Sequence, residues 1–534
     1  MRRSLTRPRA FAALAVVGII AAGCGGSSGG GAAGAAGTDG LGAQAAPASS
    51  IAFFDVNIDR SSAGWKQMLA LGARFPSWPK LITQLNTSLN QAGSNGASFN
   101  RDIEPWLGGE ASIAVTGVTV GGASAGGSAQ YVAYVQSKDD TQLEAALTRG
   151  GEAVKSTGYS GYDTFTSKDG KTFAAVHDGA LLVSNSEMAL QQAIDVRGGK
   201  GDQLANSTSF KDAMAALPKD NSAVGYVDGA QLQTLSQLAT SQASAQGVQA
   251  GGISPQALDQ FSSQLKGVRA LAFSATPEDL GLRFRVAELV SKDAPASLTS
   301  ISEFTPTLES SVSGDSYVYL GFQNLGPMLK TALTSLGTSQ AQLQQTFAQL
   351  QTQTGISFDN DLVPLLSGEH AITVGPGLPV SAALLLKPAD AATGEATLRK
   401  ITAAIAKQGA ATFTDANGGQ TTQVSGLPVG WRRSGDLLAI SNDPKAGDTV
   451  SSSLADDTSW KDFQKAIGVP SSVTGILYVN VGRLLGLASS FTSNAGASEK
   501  EALDNASHVG RVVAWGAKDG DTLTADLFVE ITKQ

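Results

Sequence analysis

The chain has 534 residues, with 38 Lys and Arg against 46 Asp and Glu, a formal net charge of −8 and only 16% charged residues. That acidic, sparsely charged balance excludes nucleic acid as the expected partner, and with it docking on anionic headgroups through a basic patch. Hydrophobic residues make up 42% of the chain, enough over this length for more than one core and therefore more than one domain.

Arg2, Arg3, Arg7 and Arg9 precede an apolar run from Ala10 to Ala22, which ends at Gly23 and Cys24. The run falls short of the roughly 20 apolar residues that span a bilayer, and it has the three-part layout of a secretory signal. Ala21-Ala22-Gly23-Cys24 resembles a bacterial lipobox, with Ala21 standing where leucine is usual. The resemblance implies that residues 1–23 are a lipoprotein signal peptide and that Cys24 is a lipid attachment site carrying a diacylglycerol. Cys24 is the only cysteine in the chain, whereas exported proteins normally use cysteines in pairs. The expected location is the outer face of the cytoplasmic membrane or another envelope membrane, held by two acyl chains rather than by a span. Arg2-Arg3 leaves Sec and twin-arginine export both open.

Residues 24–50 are rich in Gly, Ala and Ser, with almost no charge and no aromatic residue, a composition expected of a flexible tether. Beyond it the chain repeats itself. "SFNRDIEPWLGGEASIAV" (98–115) and "SFDNDLVPLLSGEHAITV" (357–374) are identical at nine of 18 positions. "DGALLVSN" (178–185) then matches "GDLLAISN" (435–442), and "TSFKD" (208–212) matches "TSWKD" (458–462), in the same order. These echoes predict a tandem duplication, with a first repeat over 51–295, a Ser/Pro-rich hinge over 296–315 and a second repeat over 316–534.

Within each copy, period-two alternation marks strands with one buried and one wet face. Leu280, Leu282, Phe284 and Val286 alternate with Gly281, Arg283 and Arg285, and Leu523, Ala525, Leu527, Val529 and Ile531 alternate with Thr524, Asp526 and Glu530. Asp169-Gly170 and Asp519-Gly520 read as hairpin turns. Leu143, Leu147 and Val154, and likewise Leu398, Ile401 and Ile405, recur at helical spacing. Each copy is expected to be α+β, a twisted, mostly antiparallel sheet with helices packed on one face.

Residues with chemical potential are few. His177, His370 and His508 stand at no metal-ligand spacing from one another, so neither a metal nor a cofactor is expected. Ser124 satisfies G-x-S-x-G only within a glycine loop between two strand-like runs, not at the strand-to-helix elbow a hydrolase nucleophile needs. The remaining candidate is the turn at 100–110, which gathers Arg101, Asp102, Glu104, Trp106 and Glu110. Asp102, Pro105, Leu107, Gly109 and Glu110 return in the second copy as Asp361, Pro364, Leu366, Gly368 and Glu369, as a turn required twice by the fold would. Arg101, Glu104 and Trp106 become Asn360, Val363 and Leu365, so any function peculiar to the first copy is expected there. No catalytic residue is assigned.

The Pro105-Trp106-Leu107-Gly108 turn, the opening run Phe53-Phe54-Asp55-Val56-Asn57 and the exported N-terminus resemble a bacterial family called domain of unknown function 3352, over roughly residues 50–534. The resemblance implies an envelope protein with no assigned reaction. The expected function is non-enzymatic binding of a lipid, another apolar small ligand or an envelope protein. A structural scaffold or assembly factor is the alternative, and a hydrolase a lesser one.

Overall fold

The runs rich in Val, Ala, Leu and Phe that flank the repeated motif become neighbouring strands in each half of the computed structural model. The structure describes residues 40–92, 99–119, 128–149, 153–232, 267–335, 339–377, 379–416, 418–448, 450–489 and 496–533. Two compact units emerge, one of Met1–Asp293 with Ile531–Gln534, the other of Ala294–Glu530.

In the first unit the strands are β1 (Ala52–Asn57), β2 (Leu107–Thr119), β3 (Ser128–Ser137), β4 (Ala153–Lys155), β5 (Asp163–Ser167), β6 (Phe173–His177), β7 (Ala180–Ser184), β8 (Ala223–Asp228), β9 (Val268–Glu278) and β10 (Gly281–Val290). Their antiparallel pairings give the order β4-β5-β6-β7-β3-β2-β1-β8-β9-β10. The second unit has β11 (Val318–Gln323), β12 (Glu369–Gly375), β13 (Ser381–Lys387), β14 (Thr414–Ala416), β15 (Gly419–Val424), β16 (Leu427–Ser434), β17 (Leu437–Ser441), β18 (Gly475–Asn480), β19 (Val509–Asp519) and β20 (Thr522–Ile531). Its order, β14-β15-β16-β17-β13-β12-β11-β18-β19-β20, is that of the first unit. The α+β class and the tandem duplication are therefore structural facts. Gly170 and Gly520 sit at φ +67° and +55° in the hairpin turns expected of their Asp-Gly pairs.

Helices pack on the inner face of each sheet around a matching set of aromatic rings. In the first unit Phe210, on helix Thr208–Ala215, packs edge-on against Phe53 of β1 and Tyr226 of β8, with centroids 5.7 and 5.1 Å apart. In the second, Trp460 on helix Thr458–Ala466 meets Tyr478 of β18 at 4.6 Å, in the cluster that also holds Tyr319 of β11. The "TSFKD" and "TSWKD" echoes thus mark the helix that seats an aromatic plug in each sheet, where edge-to-face pairs add to area burial. A further helix, Asp140–Thr148, lays Leu143 and Leu147 on the opposite face against Ala133, Val135 and Phe165, and helix Ala391–Lys407 uses Leu398 in the same way.

Four expectations change. The segment assigned to the tether ends earlier, because Leu41–Ala45 form a helix whose Ala43 and Ala45 are fully buried. The segment assigned to the hinge contributes a 3-10 turn, Leu308–Ser311, with Leu308 and Val312 buried in the second unit's core. Val154 belongs to β4 rather than to the preceding helix, since Gly150-Gly151 intervene, and it is 58% exposed. In β10 and β20 the alternation is real but its apolar set faces outward. Phe284, Val286 and Leu527 are exposed, while Ala287, Asp526 and Phe528 are buried. Arg283 belongs to this inner set because Glu278 pairs with it at 2.5 Å, which lets the charged row turn inward.

Candidate functional site

The turn at 100–110 begins with one wide helical turn, Phe99–Ile103. Asp102 is buried there, and its carboxylate is held by Arg101 (Nη2 at 2.7 Å, Nε at 3.0 Å) and by an ion pair with Arg149. The carbonyl of Asp102 accepts the Trp106 indole N–H at 2.7 Å, which lets a ring only 2% exposed pack among Ile103, Val135, Leu143 and Phe165. Glu104 lies at the surface in an ion pair with Arg60. In the second unit Leu365 fills the position of Trp106, packed on Leu386, Leu398 and Leu438. Asp361 accepts the Ser357 N–H at 2.7 Å and the Lys400 ammonium at 2.6 Å. Burial pushes its carboxyl up, but those two donors outweigh burial and leave it below its ordinary value.

The glycine of the turn behaves differently in the two copies. Gly368 has φ +102°, and a Cβ there would meet the Lys387 carbonyl at 2.3 Å. Gly109, expected to need the same reversal, is not in the left-handed region, because β2 starts at Leu107 and carries a register shift before Ala111. Its N–H donates to the Gln136 side chain at 2.9 Å.

Glu110 and Glu369 share a role that sequence comparison marked by repetition but could not explain. Glu110 accepts the backbone N–H groups of Leu41 (3.0 Å) and Gly42 (2.7 Å), the orphan donors that open helix Leu41–Ala45. Glu369 accepts those of Thr307 (2.7 Å) and Leu308 (2.8 Å), together with the Thr307 hydroxyl. Leu41 and Thr307 both lie 11 residues before the first residue of the strand they lead into, Ala52 in β1 and Val318 in β11. Each unit is thus preceded by a strap, and each strap is pinned by the glutamate that follows the Pro-Gly turn. The straps add matching bridges, Pro47 to Gln203 and Ser313 to Ser453.

Asp55 was not singled out in the sequence, because a lone acid in an apolar strand carries no motif. It is 1% exposed on β1, in register with Ser112 of β2, and neither carboxylate oxygen has a hydrogen-bond partner among the described residues. Burial, then the nearby Glu110 charge, pushes its carboxyl well above the usual range. The second unit has Gly321 here, beside Ala371 and Ile476.

These residues do not form a catalytic constellation. Trp106 and Asp102 are buried with their polar groups used, Glu104 faces solvent, and Glu110 points to the strap. His177 is exposed with its ring 4.8 Å from Tyr162, and His370 is fully buried beside Phe322. Among the described residues no three His, Cys, Asp or Glu side chains come together as a metal-ligand group. A depression of about 100 Å³ lies on the second unit, lined by Thr421, Gly430, Arg432, Ser441 and Pro444. Its volume is well below the roughly 300 Å³ at which small-molecule sites begin. Ser124 and Cys24 lie outside the described residues.

Two outcomes test this reading. Glu110→Ala removes two charge-assisted bonds, each worth about 1.5–3 kcal/mol, and is expected to raise amide exchange at residues 41–46 before β1 is affected. The fold favours the protonated form of Asp55, so its contribution is intact below the free carboxyl's titration and is lost as pH rises through its raised value. Asp55→Asn is therefore expected to raise the calorimetric Tm at pH 8, by roughly 2–4 °C per kcal/mol relieved, with the gain shrinking toward pH 4. An equal shift at both pH values would show that burial does not govern this carboxyl.

Comparison with known proteins adds the family. No curated protein matches the chain. Crystal forms III and IV of TP0453 align at 6% identity and a TM-score of 0.25, covering 47% and 46% of this chain and 80% of theirs. Form I aligns at 7% identity with the same TM-score, over 47% of this chain and 78% of that one. A likeness that slight carries no argument about function. The family model described as "Protein of unknown function (DUF3352)" matches residues 10–530, and the chain belongs to that family.

Proposed function

We propose that the protein is an exported envelope lipoprotein, anchored through a diacylglyceryl group on Cys24, that acts by binding an apolar partner rather than by catalysis. The anchoring half rests on the basic, apolar and small-residue layout that ends at the only cysteine. Among the described residues no helix is long and apolar enough to cross a membrane. Fifteen residues, 25–39, separate Cys24 from the first described residue.

The observation that carries the binding half is an apolar row on the outer face of the first sheet. Phe54, Gly225, Phe273 and Val286 lie in register across β1, β8, β9 and β10. Phe273 stacks on Phe54 at 6.3 Å, and Phe273, Phe284 and Val286 are 39%, 41% and 48% exposed. Contiguous apolar surface on a folded unit marks interaction sites, and an acyl chain or the apolar face of an envelope protein has the chemistry to cover it. Gly225 keeps the row tight, since a Cβ there would lie 1.8 Å from the Phe273 ring.

One preparation tests both halves. Cys24→Ser is expected to move the protein from the membrane fraction to the soluble one; unchanged retention refutes the anchor. Residues 25–534, purified without the lipid, are expected to yield a co-extracted lipid by mass spectrometry, and the signal should fall when Phe273 and Phe284 are changed to Ser. A lipid-free extract points to a protein partner, to be sought by cross-linking in membranes.

A further inference from the structure

The strap that leads into the second unit carries an acid that the first strap lacks. Glu309 stands where the first strap has Ala43, each two residues beyond the clamped Thr307 or Leu41. It is 7% exposed. Among the described residues its carboxylate accepts only long bonds from neutral donors, the Trp460 indole N–H at 3.3 Å and the Gln464 amide at 3.4 Å, both on helix Thr458–Ala466.

The charged and titratable groups around it offer little compensation. Glu369 approaches from β12, with its own carboxylate committed to Thr307 and Leu308. The Tyr319 hydroxyl from β11 is buried with no partner among the described residues. On the neighbouring turn Leu454–Asp456, the Asp456 carboxylate is bonded to the Ser453 hydroxyl at 2.6 Å. Of the cations bound to the strap, Lys387 of β13 donates to the Thr307 hydroxyl at 3.1 Å and Arg483 to the Gly314 carbonyl at 2.5 Å. A docked strap therefore holds Glu309 beside a second carboxylate in an apolar wall, and an undocked strap returns it to water. The remaining strap contacts include Leu308 and Val312 in the core, the backbone bonds Leu454 N–H to Val312 O (2.7 Å) and Gly314 N–H to Ser452 O (2.9 Å), and Arg483, which donates to the Gly314 carbonyl and pairs with Asp315 at 3.1 Å.

We propose that residues 307–316 form an acid-locked latch, seated while Glu309 is protonated and released when it ionises. Burial first, then the Glu369 charge, pushes the Glu309 carboxyl up to about 7, with the Trp460 and Gln464 bonds acting in the opposite direction. A group raised in the docked state stabilises docking fully below its free value and loses that stabilisation as pH rises to the raised one. The latch therefore loosens between about pH 4.5 and 7 and changes no further above that.

Hydrogen exchange on the full mature chain tests this. Protection factors for peptides spanning 305–316, corrected for intrinsic exchange, are compared at pH 5 and pH 8.5. They are expected to fall on the order of a hundredfold at the higher pH, while those of β11 hold. Glu309→Gln keeps an acceptor for the indole and cannot ionise, so it is expected to flatten the dependence and stay protected at pH 8.5. Equal wild-type protection at the two pH values overturns the latch, and so does a pH dependence that survives Glu309→Gln. The wild-type series needs no variant to fold, and neither readout depends on the anchor or the apolar partner.

Discussion

The bond on which the rest of this architecture depends joins a half-buried glutamate to two backbone N–H groups of the chain that comes before its own sheet. Glu110 and Glu369 each stand at the point where the Pro-Gly turn enters a central strand, and each reaches back to the first turn of a strap. Helix starts have unsatisfied donors and a partial positive charge, so a carboxylate there is worth more than one opposite a neutral group. The strap in turn covers the polar end of the sheet's inner face. Removing the carboxylate leaves both donors without their acceptor.

This explains why the turn was repeated, and why its repetition was easier to read than its purpose. Sequence comparison separated what the two copies share from what they do not, and the shared residues are structural: Asp102 and Asp361 are buried and paired with cations, Glu110 and Glu369 clamp straps. The partner of each glutamate was hidden because it lies 69 or 62 residues upstream in segments whose composition suggests tether and hinge. A short helix rich in Ala and Gly shows no hydrophobic periodicity, yet Ala43 packs closely because it is small.

The same limit explains the strand alternation. Period two identifies a strand but not which of its faces is inward. In β10 the arginines turn toward the inner face because Glu278 neutralises Arg283, and the phenylalanine set is left outside. An ion pair across the β9–β10 hairpin decides the face, and a period-two pattern does not display it. Asp55 escaped notice for a related reason. Only the structure shows a carboxyl buried with no partner where the second copy has a glycine.

The strap of the first unit also decides how the fold carries load. Any pull on the chain upstream of Gly40 reaches the two bonds at Glu110 before it reaches β1, which is held by hydrogen bonds to strands on both sides. The strap breaks bond by bond, whereas β1 must slide past two neighbours together. Residues 40–50 therefore stand ahead of the sheet on the path from the N-terminal side, held by single bonds where β1 is held by two whole ladders.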